Sequence, residues 1–271
     1  SDEVSVCNGA TEAIYLIAQT YRRSKSAVLA PTFSEYADAC RLHEHDVCFF
    51  YSLDQLPAHA QLVWICNPNN PTGTVIERDT LLQFIDSNSE RMFVLDQSYA
   101  RFTLQPLITP AEAARRPNVI MLHSMTKEYA IPGLRLGYVT AHKAVLNELR
   151  LQRMPWSVNQ VAIDAGRYLL AHKDYYEIDL GVLMEERSRV AELLQKSGCI
   201  DVWHSDTHIL LCKLRIGKAA SLKEYLAREH QILIRDASNF HGLDSTFFRI
   251  AVQRPEENKQ LIDAIVQWMV E

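Results

Sequence analysis

Short apolar runs alternate with stretches of helical periodicity through the first half of the chain. Residues 26–31, 46–51, 61–66, 91–96, 118–123 and 136–140 are rich in Val, Ile, Leu and Phe on both faces, the pattern of strands that are covered on both sides. Between several of them, residues 11–21, 34–43 and 77–87 have the length and apolar spacing of amphipathic helices. Strand–helix alternation of this kind predicts an α/β fold, with three α/β/α layers around a mainly parallel sheet.

After Lys143 the pattern changes. Residues 159–170 and 174–195 read as two long helices, followed by shorter strands at 208–214, 231–235 and 247–252 and by helices at 219–229 and 256–270. This mixture predicts a smaller C-terminal α+β domain. The expected division is a large domain over residues 1–172 and a small one over residues 173–271.

Composition narrows the functional classes. A length of 271 residues suits two unequal domains. With 48% hydrophobic and 23% charged residues the chain is ordinary globular material. Its net charge of −5 argues against a nucleic-acid partner. The six cysteines form no C-x-x-C pair and sit mostly in apolar surroundings, so buried free thiols, a reducing compartment and no metal site are expected. No apolar run reaches the ~18 residues of a membrane span and no signal-peptide pattern is present. A cytoplasmic protein without a membrane partner is the expectation.

Five local patterns carry candidate chemistry. Asn8-Gly9-Ala10-Thr11-Glu12 opens a helix, where small residues let backbone N–H groups approach an anion; a plain helix start capped by Thr11 is the alternative. Asn67-Pro68-Asn69-Asn70-Pro71-Thr72-Gly73 follows a buried strand and fixes a turn at its carboxyl end, where Asn70 could aim an amide at a ligand. Asp96 ends another apolar strand. A buried carboxylate needs a partner, and a protonated ring nitrogen is one, whereas a helix cap is the plainer reading. Tyr99, three residues on, could donate to a phenolic oxygen.

The fourth pattern is Ser124-Met125-Thr126-Lys127 with Gly133-Leu134-Arg135-Leu136-Gly137 beyond it. Two hydroxyls and a forked guanidinium suit a phosphate. Lys127, among Met125, Tyr129, Ala130 and Ile131, would have its pKa lowered by partial burial and so serve as a Schiff-base amine; a surface lysine is the alternative. In the fifth, Arg235 and Arg249 lie within or beside short apolar strands, and each needs an anion, internal or from a substrate.

Taken in order, N-P-N-N-P-T-G, D-x-x-Y and S-x-[ST]-K with G-L-R-L-G beyond the lysine resemble the aminotransferase class I/II group of pyridoxal-phosphate (PLP) enzymes, over nearly the whole chain. The resemblance implies that Lys127 binds the cofactor as a Schiff base and shuttles a proton, while Asp96 pairs with the ring nitrogen. Tyr99 and Asn70 would bond the phenolic oxygen and Phe33 would stack on the ring. The backbone of Ala10 and Thr11, with Ser124, Thr126 and Arg135, would hold the cofactor phosphate. Arg249, helped by Arg235, would bind an anionic group of the substrate, with Asn70 alongside.

Two branches of the group compete: L-threonine O-3-phosphate decarboxylases of cobalamin biosynthesis and histidinol-phosphate aminotransferases. Met154-Pro155-Trp156-Ser157-Val158-Asn159 and residues 233–243 look more like the decarboxylases. Both branches act on small phosphorylated amino compounds, and a homodimer is implied. A non-catalytic PLP-binding module is the reading from another class, disfavoured because Lys127, Asp96 and the arginines are all present. The chain departs from the family's pattern at Gln97 and Ser98, after the ring aspartate, and at His208, where many relatives carry an asparagine beside the substrate carboxylate. Relatives also carry several dozen residues ahead of the first motif, including an arm over the substrate, which the sequence as read lacks.

Overall fold

The protein is described here by a computed structural model covering residues 2–270. Seven strands form the larger sheet: β1 (Val4–Cys7), β2 (Lys25–Leu29), β3 (Asp46–Phe50), β4 (Leu62–Cys66), β5 (Met92–Asp96), β6 (Val119–Ser124) and β7 (Gly137–Ala141). Their order is β1-β7-β6-β5-β4-β2-β3. Pairings from β3 through β2, β4 and β5 to β6 are all parallel, whereas β7 is antiparallel to both β6 and β1. Two reversals bring β1 back to the direction of β6, so its carboxyl end joins those of the parallel strands along one edge of the sheet.

All five residues of β4 are buried, and their alternation shows why the run lacks polar positions. Leu62, Trp64 and Cys66 face a core built with α1 (Gly9–Thr20), α2 (Glu35–Leu42) and α6 (Lys143–Gln152). Val63 and Ile65 face a second core built with α3 (Arg78–Asp86) and α4 (Pro110–Ala114). Helices cover both faces, which gives the three layers. The short α5 (Met125–Glu128) follows β6 directly, and α7 (Gln160–Ala171) leads out of this half.

The remaining chain adds α8 (Leu180–Lys196), β8 (Ile200–Val202), β9 (Ile209–Leu214), α9 (Ala219–Glu229), β10 (Arg235–Asp236), β11 (Phe247–Ala251) and α10 (Pro255–Val270). Its four strands pair antiparallel in the order β10-β11-β9-β8. One face is packed by the three helices through Val190, Leu194, Leu222, Leu226, Leu261 and Ile265.

Two expectations are corrected and one strand is added. β1 was not anticipated, because it is four residues long and three of them are only partly covered. The helix expected over 174–195 begins at Leu180: residues Lys173–Tyr176 form a separate 3-10 turn, and the Asp179 carboxylate caps α8 by accepting the Val182 N–H at 3.1 Å. The strand expected over 231–235 shrinks to Arg235–Asp236. Gln231 turns left-handed (φ 57°) and the Ile232 N–H goes back to the Leu226 carbonyl of α9, so this stretch ends a helix rather than extending a sheet.

A candidate active site at the carboxyl edge of the large sheet

A cavity of about 300 Å3 opens at the carboxyl ends of the parallel strands, where open α/β sheets place their ligands. All the residues assigned cofactor or substrate roles from the sequence line it: Ala10, Thr11, Phe33, Asn70, Asp96, Tyr99, Ser124, Thr126, Lys127, Arg135, Arg235 and Arg249. They come from nine separate places in the chain and meet because β4, β5 and β6 are neighbours in the sheet and end at one level.

The turn after β4 is organised by two of its asparagines, which frees the third. Asn67 bonds the backbone of Ile76 in both directions, at 2.7 and 3.1 Å. Asn69 donates to the Pro31 carbonyl and Thr72 hydroxyl and accepts from Thr32, each at 2.9 Å. Asn70 Oδ1 accepts from the Arg249 guanidinium, which leaves the Asn70 amide N–H groups to face the cavity. Arg249 thus ties the small sheet to this turn.

Asp96 is 4% exposed. Its Oδ1 accepts the Ser98 N–H and its Oδ2 the Tyr36 hydroxyl, each at 2.8 Å. It therefore forms an Asx turn and does not cap a helix. Burial pushes its pKa up, against the opposing pull of Ser98, Tyr36 and the Lys127 charge. A buried carboxylate in that state is half of an ion pair. Lys127, in α5, opens onto the cavity. Enclosure by the walls lowers its pKa first, then the charges of Arg249 and Arg135, with Asp96 opposing.

The N-terminus of α1 provides an anion cradle. Asn8 makes no side-chain cap bond, its own N–H donating to Glu12 at 2.6 Å, and Thr11 sits inside the first turn, not at the cap. The Arg135 guanidinium lies against this end, so close that a Cβ on Gly9 (φ 76°) would stand 2.5 Å from Nη2. Ser124 and Thr126 hydroxyls bond each other at 2.8 Å on the same wall. Lys127, Arg135, Arg235 and Arg249 face a cavity whose lining holds a single carboxylate, Asp96. None of these four cations forms a salt bridge among the described residues, Asp96 acting on Lys127 only through space, and the buried Nε of Arg249 has no hydrogen-bond partner. The site is built for an anion.

The chain belongs to the aminotransferase class I and II family. The family profile matches residues 1–265. The threonine-phosphate decarboxylase of Salmonella typhimurium is 31% identical over 274 residues, covering 95% of this chain and 74% of the relative. The crystal structure of L-threonine-O-3-phosphate decarboxylase from Porphyromonas gingivalis is 37% identical with a TM-score of 0.97, covering 100% of this chain and 84% of that one. The histidinol-phosphate aminotransferase structure from Clostridium acetobutylicum is 28% identical with a TM-score of 0.91, covering 99% and 84%.

This is a PLP-dependent enzyme, and the residues present fit that cofactor. A pyridinium nitrogen would complete the ion pair that Asp96 lacks, and a phosphate would meet the uncapped end of α1, Arg135 and the paired hydroxyls. A lysine with a lowered pKa stands between them. Sequence reasoning missed Tyr36, Cys66 and Phe240, which also line the cavity. Tyr36, in the first turn of α2, follows Phe33 by three residues across the helix start. Of the noted departures, Gln97 points away, its amide on the Ile108 carbonyl at 3.0 Å. His208 stands behind the lining, its ring 4.1 Å from that of Phe102 and 5.9 Å from that of Tyr99.

Proposed function

We propose that this protein decarboxylates a small phosphorylated amino acid of the L-threonine O-3-phosphate type. The observation that carries the reading is the arginine pair. Arg235 and Arg249 are direct partners in the β10–β11 register, an arrangement in which like charges repel, and no acidic side chain among the described residues forms a salt bridge with either. A substrate phosphate, which carries close to two negative charges at neutral pH, would. The similarity to proteins named as threonine-phosphate decarboxylases supports the choice of reaction.

In this reading Lys127 holds the cofactor covalently, Asp96 its ring nitrogen, Asn70 and Tyr99 its phenolic oxygen, and Phe33 its face. Ala10, Thr11, Ser124, Thr126 and Arg135 hold its phosphate. When bound, the cofactor supplies a protonated ring that stabilises negative charge at the substrate Cα. Arg249 would take the substrate phosphate, with Arg235 at the mouth, which would leave the α-carboxylate unanchored and able to depart as CO2, its bonding pair passing to Cα. Lys127 Nζ, released when the substrate amine takes its place on the cofactor, would hold the proton that goes to Cα. With Arg249 on the carboxylate instead, the Cα proton would be the group lost, and transamination would follow.

The test is the purified protein with PLP and L-threonine O-3-phosphate, assayed for CO2 and the phosphorylated amino alcohol. A parallel reaction holds histidinol phosphate and 2-oxoglutarate, read for glutamate. CO2 in the first alone is the expected outcome; glutamate in the second alone overturns the decarboxylase reading in favour of the aminotransferase. No visible absorbance with PLP would sink both.

The proposal extends to organisation. Residues 1–172 act as the cofactor-binding unit and residues 173–271 as the unit that carries the substrate arginines. The active form is a homodimer. An apolar belt supports this: Trp156 is 97% exposed and Tyr175 87%, with Leu151, Met154, Val161 and Leu170 also open to solvent. Beside them lies an apolar groove of about 460 Å3 between Val4, Val6, Val158 and Ile163. Exposed apolar surface of this extent marks an interface. Light scattering should give twice the chain mass, and Trp156→Glu should give the single mass. All six cysteines are free thiols, which suits a reducing, cytoplasmic setting.

A further inference from the structure

Resting on the reading of the cavity as a PLP site, we infer that Tyr36 is a positioning residue for the cofactor's ring nitrogen, acting through Asp96. Its hydroxyl donates to Asp96 Oδ2 at 2.8 Å, while Oδ1 is taken by the Ser98 N–H. Each carboxylate oxygen is thereby fixed by one donor before any ligand arrives, and the remaining lone pairs are the ones left for a cation.

The phenol itself has little freedom. Tyr36 is 1% exposed. Its ring is stacked on Trp64 at 5.3 Å and 18°, and Phe33 meets its edge at 5.8 Å. Trp64 belongs to the fully buried β4, so the stack is anchored in the centre of the sheet. Burial holds the phenol far above its ordinary pKa, so over any working pH it is a neutral donor and never a competing anion. The two donors also offset the burial that pushes Asp96 towards its neutral form. A carboxylate aimed in this way is ready to bind a ring cation without paying first for its own reorganisation.

A purely structural tyrosine predicts something different, and Tyr36→Phe separates the two because it keeps the ring and its stack and removes only the hydroxyl. Binding is measured by absorbance and equilibrium dialysis for PLP and for the analogue with carbon in place of the ring nitrogen. Loss of one hydrogen bond to a charged acceptor should weaken PLP binding about 10- to 100-fold. The analogue, which makes no ion pair with Asp96, should be nearly unaffected. Equal weakening for both, or no change for either, overturns the inference and leaves Tyr36 as packing. Should Tyr36→Phe fail to accumulate folded, Trp64→Phe is read by the same criterion, since it keeps the hydroxyl and loosens the stack that aims it. Failure of the parent protein to bind PLP would count against the proposed function instead.

Discussion

At the scale of single residues, the site depends on charges that are close in space and distant in sequence. Lys127 has its pKa lowered by burial, then by Arg249 and Arg135, while Asp96 pulls the other way. Two substitutions should therefore move it in opposite directions. Arg249→Gln removes a repelling cation, so the amine holds its proton to higher pH. Asp96→Asn removes an attracting anion, so the amine loses its proton at lower pH. Competitive acetylation of the apo protein across pH, read at Lys127 by mass spectrometry, reports both without needing activity. Shifts of the same sign would show that the two groups do not act on the lysine as charges. The motifs made Lys127 legible in the sequence, and its apolar neighbours gave the direction of its shift. The arginine contribution was not legible, because Arg249 lies in the other sheet and only folding sets it beside the lysine.

At the scale of elements, the turn after β4 is where the two sheets meet. Gly73 adopts φ 72°, donates to the Asn69 carbonyl at 2.7 Å, and its own carbonyl accepts the Asp206 N–H at 2.9 Å. A Cβ there would stand 2.7 Å from the Ile209 carbonyl oxygen and 2.8 Å from the Thr207 hydroxyl. Gly73→Ala is thus strained twice, by its left-handed backbone and by backbone it cannot displace cheaply, and should cost about 1–3 kcal/mol or more. Because Asn70 and Arg249 are bonded across this same junction, PLP affinity should fall with stability. Thermal unfolding and dialysis check both, and an alanine variant as stable as the parent would contradict the close approach. The sequence showed that a glycine closes this turn but not what presses on it. The same limit explains the elements that were misjudged. The large-sheet strands were legible because burial on both faces leaves continuous apolar runs. β1 shows too few covered positions to stand out, and 231–235 has strand-like composition while its backbone serves the end of α9.

At the scale of the whole molecule, buried histidines weaken the fold in acid: His45 is shifted down by burial, and His123 and His208 further still. His123 lies on β6 against Tyr138, 4.6 Å ring to ring, with Nε2 buried and unpartnered. His208 lies beside Phe102 at the start of β9, with Nδ1 likewise unpartnered. Burial pushes each down to about 4, with the Arg249 charge adding to the effect at His208. An unfolded imidazole takes up its proton near pH 6.5 and the folded ones only near 4, so between those values the unfolded chain binds more protons. Stability is therefore complete above about pH 6.5 and falls as pH is lowered towards 4. At about 1.4 kcal/mol per unit, the ceiling is roughly 3 kcal/mol for each ring. Carboxylates held by arginines, such as Asp86 beside Arg116 with its pKa lowered, lose their contribution at lower pH than this, which separates the two effects. Since His123 lies in the large sheet and His208 directly precedes β9 of the small one, acid should loosen both halves together, and PLP should slow the loss by binding only the folded form. Unfolding midpoints of the apo protein from pH 7.5 to 4 test this, with His123→Phe and His208→Phe each expected to flatten part of the slope. A curve that stays level down to pH 4.5, or a slope that neither phenylalanine alters, would mean that the decline belongs to other groups.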